Sequence, residues 1–168
     1  KQLPSYLNRI KKGDFSIEPL PRVGVKIDGK QIYPAINDVA IFSSKSATLV
    51  EHVLKVNGEE LWHDSSDGLI VSTPIGSSAY SMSAGGPAIY QNSGVFCIVS
   101  VNSLDITRRP LIVPEDAFVE IDDISSSLRC EVVVDGKDRF KVDKTVTCTK
   151  FPQAANVIRM KKDSTTVS

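Results

Sequence analysis

Three hairpin-type dipeptides, each lying between two runs of apolar and β-branched residues, restrict the fold of this chain more than any other feature. They are Asp28-Gly29, Asn57-Gly58 and Asp135-Gly136. Such pairs adopt the positive φ angles of the tight turns that join antiparallel strands. The strands predicted beside these turns and elsewhere are Val23–Ile27, Val39–Phe42, Val50–Val56, Glu59–Trp62, Gly68–Ser72, Val95–Val101, Ala117–Ile121, Cys130–Val134, Arg139–Val142, Thr145–Thr149 and Val157–Met160. The pattern predicts an all-β chain folded as a two-layer β-sandwich.

Helical signals occur in two short places. Apolar residues at helical spacing over Pro4–Lys12, followed by Gly13, predict a helix, so residues 1–13 are interpreted as the end of an interdomain helix or linker. Residues 14–168 are predicted to form one sandwich domain with no inner boundary. The second helix is expected shortly after Pro74.

Charge and cysteine content exclude several classes of protein. Twenty basic residues balance twenty acidic ones, so no positive field indicates a nucleic-acid or membrane partner. No apolar run approaches the roughly 20 residues of a membrane span. The three cysteines, Cys97, Cys130 and Cys148, have no metal-type spacing. They are expected to be buried free thiols, which is typical of a cytoplasmic protein.

The stretch from Asp67 to Pro87 combines a strand, a loop and a helix start with a dense set of hydroxyls. Pro74 ends the strand, and Gly76 is expected to take a positive φ in a tight turn. Ser77 or Ser78 is the expected N-cap of a short helix that Gly85 and Gly86 end. One interpretation of this stretch is an ordinary surface loop without a ligand. A helix N-terminus beside hydroxyls and a carboxylate would instead suit a ligand rich in hydroxyls and ring nitrogens.

Other catalytic and nucleotide-binding patterns are missing from the sequence. It contains no Gly-x-Ser-x-Gly elbow of a hydrolase, no Walker loop and no Gly-x-Gly-x-x-Gly fingerprint. The two histidines, His52 and His63, are expected to be structural, and no metal ligands are predicted.

The sequence DGLIVSTPIGSSAYSMSAGGP, residues 67–87, resembles the signature of NAD kinases at nearly every position. Weaker similarities extend it in the same order: AINDV at 35–39, RPLIVP at 109–114 and DGK at 135–137. The resemblance implies the C-terminal domain of an enzyme that phosphorylates the adenosine-ribose 2′-hydroxyl of NAD with ATP, giving NADP. In that family an α/β N-terminal domain precedes this β domain.

The resemblance also implies which residues bind NAD. The matching positions are Asn37, Asp38, Asp67, Ser78, Ala79, Tyr80, Ser81 and Ser83, with Gly76, Gly85 and Gly86 shaping the loop. Four positions depart from the family: Asp38 replaces a commoner glutamate, Ile75 a threonine, Ser65 a basic residue of many bacterial members, and Lys137 a glutamine. Lys137 is a possible phosphate contact. ATP or polyphosphate is the implied donor, with Mg²⁺ or another divalent cation, and family members are homodimers or homotetramers.

The catalytic aspartate of the family lies in a Gly-Gly-Asp-Gly motif, which these 168 residues do not contain. No catalytic residue is therefore expected in this chain, and the base is expected in an N-terminal domain. Two alternatives stay open. One is a lipid kinase of the diacylglycerol or sphingosine type, which would need an apolar tunnel, and the other is a non-catalytic module that senses NAD(P).

Overall fold

The structure, a computed structural model, describes residues 3–160. Its helices are α1 Leu3–Lys11 and α2 Tyr80–Ser83, with a 3₁₀ turn at Gly76–Ser78. None of these is long and apolar enough to cross a membrane. The strands are β1 Phe15–Leu20, β2 Val23–Ile27, β3 Lys30–Gln31, β4 Asp38–Ser43, β5 Val50–Val56, β6 Glu59–Ser66, β7 Gly68–Ser72, β8 Val95–Val101, β9 Leu111–Pro114, β10 Val119–Ser125, β11 Cys130–Val134, β12 Asp138–Val142, β13 Val146–Lys150 and β14 Ala155–Met160.

The chain divides into two compact units. Of the described residues, the smaller unit holds 3–20 and 154–160. Its strands β1 and β14 pair antiparallel from Phe15 opposite Met160 to Leu20 opposite Ala155. The predicted boundary after residue 13 stays a prediction, and the termini that it includes, residues 1–2 and 161–168, lie outside the described residues.

The larger unit, Pro21–Gln153, contains two six-stranded antiparallel sheets. Sheet I has the order β3-β2-β13-β10-β5-β6, and sheet II has the order β12-β11-β4-β7-β8-β9. Apolar side chains from both sheets form one buried core, with Val25 and Val119 contributed by sheet I and Ile41 and Val71 by sheet II. The predicted two-layer sandwich with one short helix after the loop is confirmed.

All three hairpin dipeptides take positive φ at both residues, as their sequence predicts. Asp28-Gly29 joins β2 to β3, Asn57-Gly58 joins β5 to β6, and Asp135-Gly136 lies between β11 and β12. The last turn is one residue longer, because Val134 pairs with Asp138 and leaves Lys137 in the loop. Strand β9 was not predicted, since its four residues are bounded by prolines that resemble a loop.

Two expectations about the loop after β7 are wrong. Neither Ser77 nor Ser78 caps a helix, because each hydroxyl donates to a preceding carbonyl, Pro74 O at 2.7 Å and Ile75 O at 3.0 Å. Gly76 does not have a positive φ. A Cβ on Gly76 would lie 1.9 Å from Asn37 O, so the glycine is required by a close approach between two backbone segments.

Candidate functional site

The outer face of sheet II carries the candidate site. Successive residues of a strand point to opposite faces, and Val39 and Ile41 of β4 lie in the core. Asp38, Ala40 and Phe42 therefore project from the outer face. Strand pairing aligns Ala40 with Val133 of β11 and with Ile70 of β7. A row of small and apolar residues thus forms a floor with one carboxylate at its end.

The segment from the 3₁₀ turn through α2 is fixed to β4 by backbone contacts. Thr73 N–H donates to Asn37 O at 2.9 Å, and the Thr73 hydroxyl donates to Ile36 O at 2.6 Å. The same hydroxyl oxygen accepts a hydrogen bond from Gly76 N–H at 3.1 Å. These bonds hold the turn against the start of β4 and so set the position from which Tyr80 projects.

A cavity of about 420 Å³, the Asp38 cavity, lies on this face. Its lining residues are Asp38, Ala40, Phe42, Ser43, Ser44, Ser46, Tyr80, Val133, Gly136 and Arg139. Its volume lies in the range of small-molecule sites, which combine an apolar lining with a few polar groups. The combination of an aromatic wall, a carboxylate, hydroxyls and a guanidinium suits a nucleotide.

A second cavity of about 260 Å³, the Asp67 cavity, shares Phe42, Ser43, Ser46 and Tyr80 with the first. Asp67 and Asn102 lie on its other side, where the Asn102 amide donates to Asp67 Oδ2 at 2.8 Å. One Asp67 oxygen is thereby fixed in place. The two cavities bring Asp38, Asp67 and Tyr80, three of the residues predicted from the sequence, to one surface.

The wall between the two cavities is an aromatic stack. The rings of Phe42 and Tyr80 lie with centroids 5.6 Å apart and planes 23° apart. Gly68 of β7 pairs with Phe42 of β4. It leaves space for the Phe42 ring, because a Cβ on Gly68 would lie 2.5 Å from Phe42 Cδ1. Stacked aromatic rings offer flat faces to a base, so this wall is suited to a purine or a nicotinamide ring.

The Asp135 carboxylate holds the beginning of β4 in place. Its oxygens accept hydrogen bonds from three successive backbone N–H groups, those of Ile36 at 3.0 Å, Asn37 at 2.7 Å and Asp38 at 3.2 Å. Asp135 N–H donates in return to Asp38 O at 3.0 Å. The turn between β11 and β12 therefore orients the residues that open the Asp38 cavity.

The Asp38 side chain is held in an unfavourable environment for a charge. It is 3% exposed, and among residues 3–160 no protein donor makes a hydrogen bond to its carboxylate. Burial, together with the negative charge of Asp135, raises the pKa of Asp38 to about 6. A carboxylate that lines a cavity without a protein donor is available for the hydroxyl groups of a ligand.

The other residues assigned by resemblance are distributed around α2. Ser78, Ala79 and Ser83 are exposed, as a ligand contact requires. Ser81 is fully buried, so its side chain faces the protein interior. Gly85 has φ +88° with open space around it, whereas a Cβ on Gly86 would lie 2.5 Å from Ser81 Oγ. Their roles as NAD contacts and loop-shaping residues stay predictions.

No histidine or cysteine side chain is among the residues that line the two cavities. His52 is 3% exposed, and burial lowers its pKa. His63 is exposed and contacts Glu60 through Nε2 at 2.8 Å. All three cysteines are buried and unpaired, as the sequence predicts. Within the described part of the chain, no group of three or more potential ligands could hold a metal ion.

Sequence reasoning assigned no role to many of the residues that line the two cavities, and four of them are instructive. Phe42 and Ala40 could have been found, because they alternate with Asp38 on a strand whose other positions are core residues. Asn102 and Arg139 reach the cavities from distant strands, and no local pattern marks them.

Comparisons with known proteins identify the family of this chain. The family model of the ATP-NAD kinase C-terminal domain matches residues 36–160. An NAD kinase of Methanopyrus kandleri is 37% identical over 157 residues, which are 94% of this chain and 56% of that protein. The NAD kinase of Heliobacterium modesticaldum is 36% identical over 135 residues, which are 78% of this chain and 48% of that protein.

Two solved kinase structures have the same fold as this chain. The crystal structure of an NAD kinase from Archaeoglobus fulgidus in complex with ATP matches with a TM-score of 0.79 and 26% identity, over 96% of this chain and 61% of that one. Yeast NADH kinase complexed with NADH matches with a TM-score of 0.83 at 21% identity, over 97% of this chain and 51% of that one.

The fold is thus that of a class of sandwich domains that occur in NAD kinases. This chain belongs to the NAD kinase family and corresponds to its C-terminal domain. It spans about half the length of the curated relatives that it matches. The lipid-kinase alternative is not favoured, since the relatives named above are NAD kinases.

Proposed function

We propose that this chain binds NAD on the outer face of sheet II, so that the adenosine-ribose 2′-hydroxyl can be phosphorylated with ATP to give NADP. The observation that supports it is the Asp38 carboxylate, which is 3% exposed and lines the cavity, and whose pKa is raised by burial and by the negative charge of Asp135. Ribose hydroxyls supply such donors. Tyr80 and Phe42 supply the stacking surface beside it.

Asp67 is proposed to contact the same ligand from the second cavity. The shared aromatic wall places the two cavities side by side, and a dinucleotide has two ring systems joined by a pyrophosphate. Asn37, Ser78, Ala79 and Ser83 are proposed to complete the contacts, whereas the Ser81 side chain faces the protein interior and is left out of them. The alternative of a non-catalytic NAD(P)-sensing module requires the same binding but no phosphate transfer.

Phosphate transfer needs a base and a charge-neutralising ion as well as a positioned acceptor. The 168 residues lack the Gly-Gly-Asp-Gly motif, so the base is proposed to come from another domain. No metal ligand set occurs among residues 3–160, and Mg²⁺ or another divalent cation would therefore be carried by the phosphates of ATP. The ion would neutralise phosphate charge during transfer.

The test separates binding from turnover. We expect the 168-residue chain to bind NAD in titration calorimetry and to form no NADP when ATP and Mg²⁺ are added. Supplying the N-terminal half of a homologous NAD kinase, by fusion or in trans, should restore NADP formation, which an NADP-specific dehydrogenase reports at 340 nm. A chain that binds no NAD at millimolar ligand would contradict the proposal, and NADP formation by the chain alone would place the base within it.

Asp38→Asn is expected to weaken NAD binding by at least about tenfold while stabilising the fold at pH 7. The loss follows because hydrogen bonds to a charged group contribute roughly 1.5–3 kcal/mol. The fold is stabilised because the pKa of Asp38 in the folded chain, about 6, exceeds the ordinary 3.8. Ionisation of Asp38 therefore lowers the free energy of unfolding as the pH rises through about 4 to 6, and asparagine avoids this cost. Its size is at most about 3 kcal/mol.

Urea unfolding of both proteins at pH 4 and pH 7 measures this effect. The wild-type chain should lose stability relative to Asp38→Asn between these pH values, and the two should converge at pH 4. Equal pH dependence of the two proteins would show that Asp38 ionises without cost. Asp116→Asn, which changes an exposed carboxylate that lines neither cavity, is the matched control and should change neither quantity by a comparable amount.

Three further properties stay proposals that rest on the family alone. They are a homodimeric or homotetrameric assembly, a cytoplasmic location and the choice between ATP and polyphosphate as donor.

A further inference from the structure

Arg139 is the cationic residue among those that line the Asp38 cavity. It pairs with Val133 on β11, and Val133 pairs in turn with Ala40 on β4. Paired residues of neighbouring strands point to the same face of a sheet. Arg139 therefore extends from the outer face of sheet II, in the row of side chains that forms the cavity floor.

Lys137, the cation that the sequence suggested as a phosphate contact, does not line the cavity. It lies in the turn after Val134 and is exposed. The next residue of β12 on the outer face is Arg139, because Phe140 points to the other face and packs against the core. The register of this hairpin thus gives the cavity an arginine rather than a lysine.

The guanidinium of Arg139 has a replaceable partner. Its Nη1 lies 3.1 Å from Glu131 Oε2, and the arginine side chain is 64% exposed. An ion pair as exposed as this one contributes little to stability. Arginine offers a planar fork of donors that fits two phosphate oxygens at once, so a phosphate group can compete with a single carboxylate oxygen.

We propose that Arg139 binds a phosphate group of the nucleotide held in the Asp38 cavity. The inference rests on the proposed function and adds a specific contact to it: Asp38 accepts hydrogen bonds from ribose hydroxyls while Arg139 donates to phosphate oxygens across the Ala40 floor. The ligand chemistry is a nucleotide phosphate. Its source is either the NAD acceptor or the ATP donor, and the ligands of the experiment distinguish the two.

The experiment is calorimetric titration of the 168-residue chain with adenosine, AMP, NAD and ATP, repeated with Arg139→Ala and Lys137→Ala. Arg139→Ala should weaken AMP and NAD binding by at least about tenfold and leave adenosine binding unchanged. If the phosphate belongs to the donor, the loss should appear with ATP and not with NAD. Lys137→Ala is the matched control, from the same hairpin, and should bind all four ligands as the parent chain does.

Glu131→Gln provides a test in the opposite direction. Removing the carboxylate that competes for Arg139 should tighten AMP binding several-fold, an effect that loss of folding cannot imitate. Unchanged or weaker AMP binding in this variant would contradict the proposal. So would an Arg139→Ala chain that binds all phosphate-containing ligands normally, or one that loses adenosine in parallel with AMP.

Failure of the proposed function has a separate signature. In that case the parent chain does not bind NAD, whatever the effect of Arg139→Ala on the other ligands. If the parent binds NAD but Arg139→Ala binds every phosphate-containing ligand equally well, the proposed function stands and only the role of Arg139 is overturned.

Discussion

Replacing Gly76 by alanine is expected to lower the free energy of unfolding by more than about 2 kcal/mol and to abolish measurable NAD binding. The new Cβ would lie 1.9 Å from Asn37 O and 2.4 Å from Asn37 C, both backbone atoms that no rotamer change can move. Overpacking of a buried site costs roughly 1–3 kcal/mol and sometimes more. Relief requires the turn to separate from β4, which displaces Tyr80 from the aromatic wall.

Gly85→Ala is the control for this prediction. Gly85 lies in the same segment and has φ +88°, but nothing lies within 4 Å of its Cβ position. Alanine there should cost only the backbone strain of a left-handed residue, roughly 1–2 kcal/mol. Thermal unfolding and calorimetry of both variants compare the two costs. Gly76→Ala with the melting temperature and NAD affinity of the parent would show that the close approach is not rigid.

Asp135→Ala is expected to lower the free energy of unfolding by about 3 kcal/mol or more. Three backbone N–H groups, those of Ile36, Asn37 and Asp38, lose their charged acceptor. Hydrogen bonds to charged groups contribute roughly 1.5–3 kcal/mol each, although the freed groups regain water in part. The beginning of β4 should become mobile, so NAD affinity should fall by at least about tenfold. Asp135→Asn keeps one oxygen acceptor and tolerates positive φ, so it should have a smaller effect.

The fold contains a matched control for Asp135 at another corner. Asp28 also has a positive φ at a hairpin, and its carboxylate accepts the N–H groups of three successive residues, Asp143, Lys144 and Thr145. Asp28→Ala should therefore lower stability by a similar amount and leave NAD binding intact in the fraction that remains folded. If both variants lose stability and affinity in parallel, Asp135 acts on the fold as a whole and does not specifically orient the site.

Sequence reasoning succeeded where the controlling interactions are local. The positive φ of Asp28-Gly29 and Asn57-Gly58 follows from the residues themselves, and the alternation of strands follows from side-chain period. It failed where the deciding contact is distant in the chain. The Gly76 requirement comes from a carbonyl 39 residues earlier, and the Asp135 carboxylate acts on residues almost a hundred positions before it.

Local composition misled the prediction of the helix cap. Serine is a common N-cap residue. The hydroxyls of Ser77 and Ser78 nevertheless donate to carbonyls of the preceding turn, so α2 has no side-chain cap. Lys137 and Arg139 differ by two positions, and only the length of the turn determines which of them reaches the cavity. The sequence pattern indicates the surface that carries the cavity, whereas the register of β11 and β12 determines which basic side chain lines it.

The main chain of Asn37 makes structural contacts that its side chain does not share. Its carbonyl accepts Thr73 N–H and lies against Gly76, and its N–H donates to Asp135. In the described chain no hydrogen bond involves the Asn37 side-chain amide. Every residue type except proline can supply that carbonyl and that N–H. Under the proposed function, substitutions of Asn37 should therefore change ligand preference while leaving the fold intact.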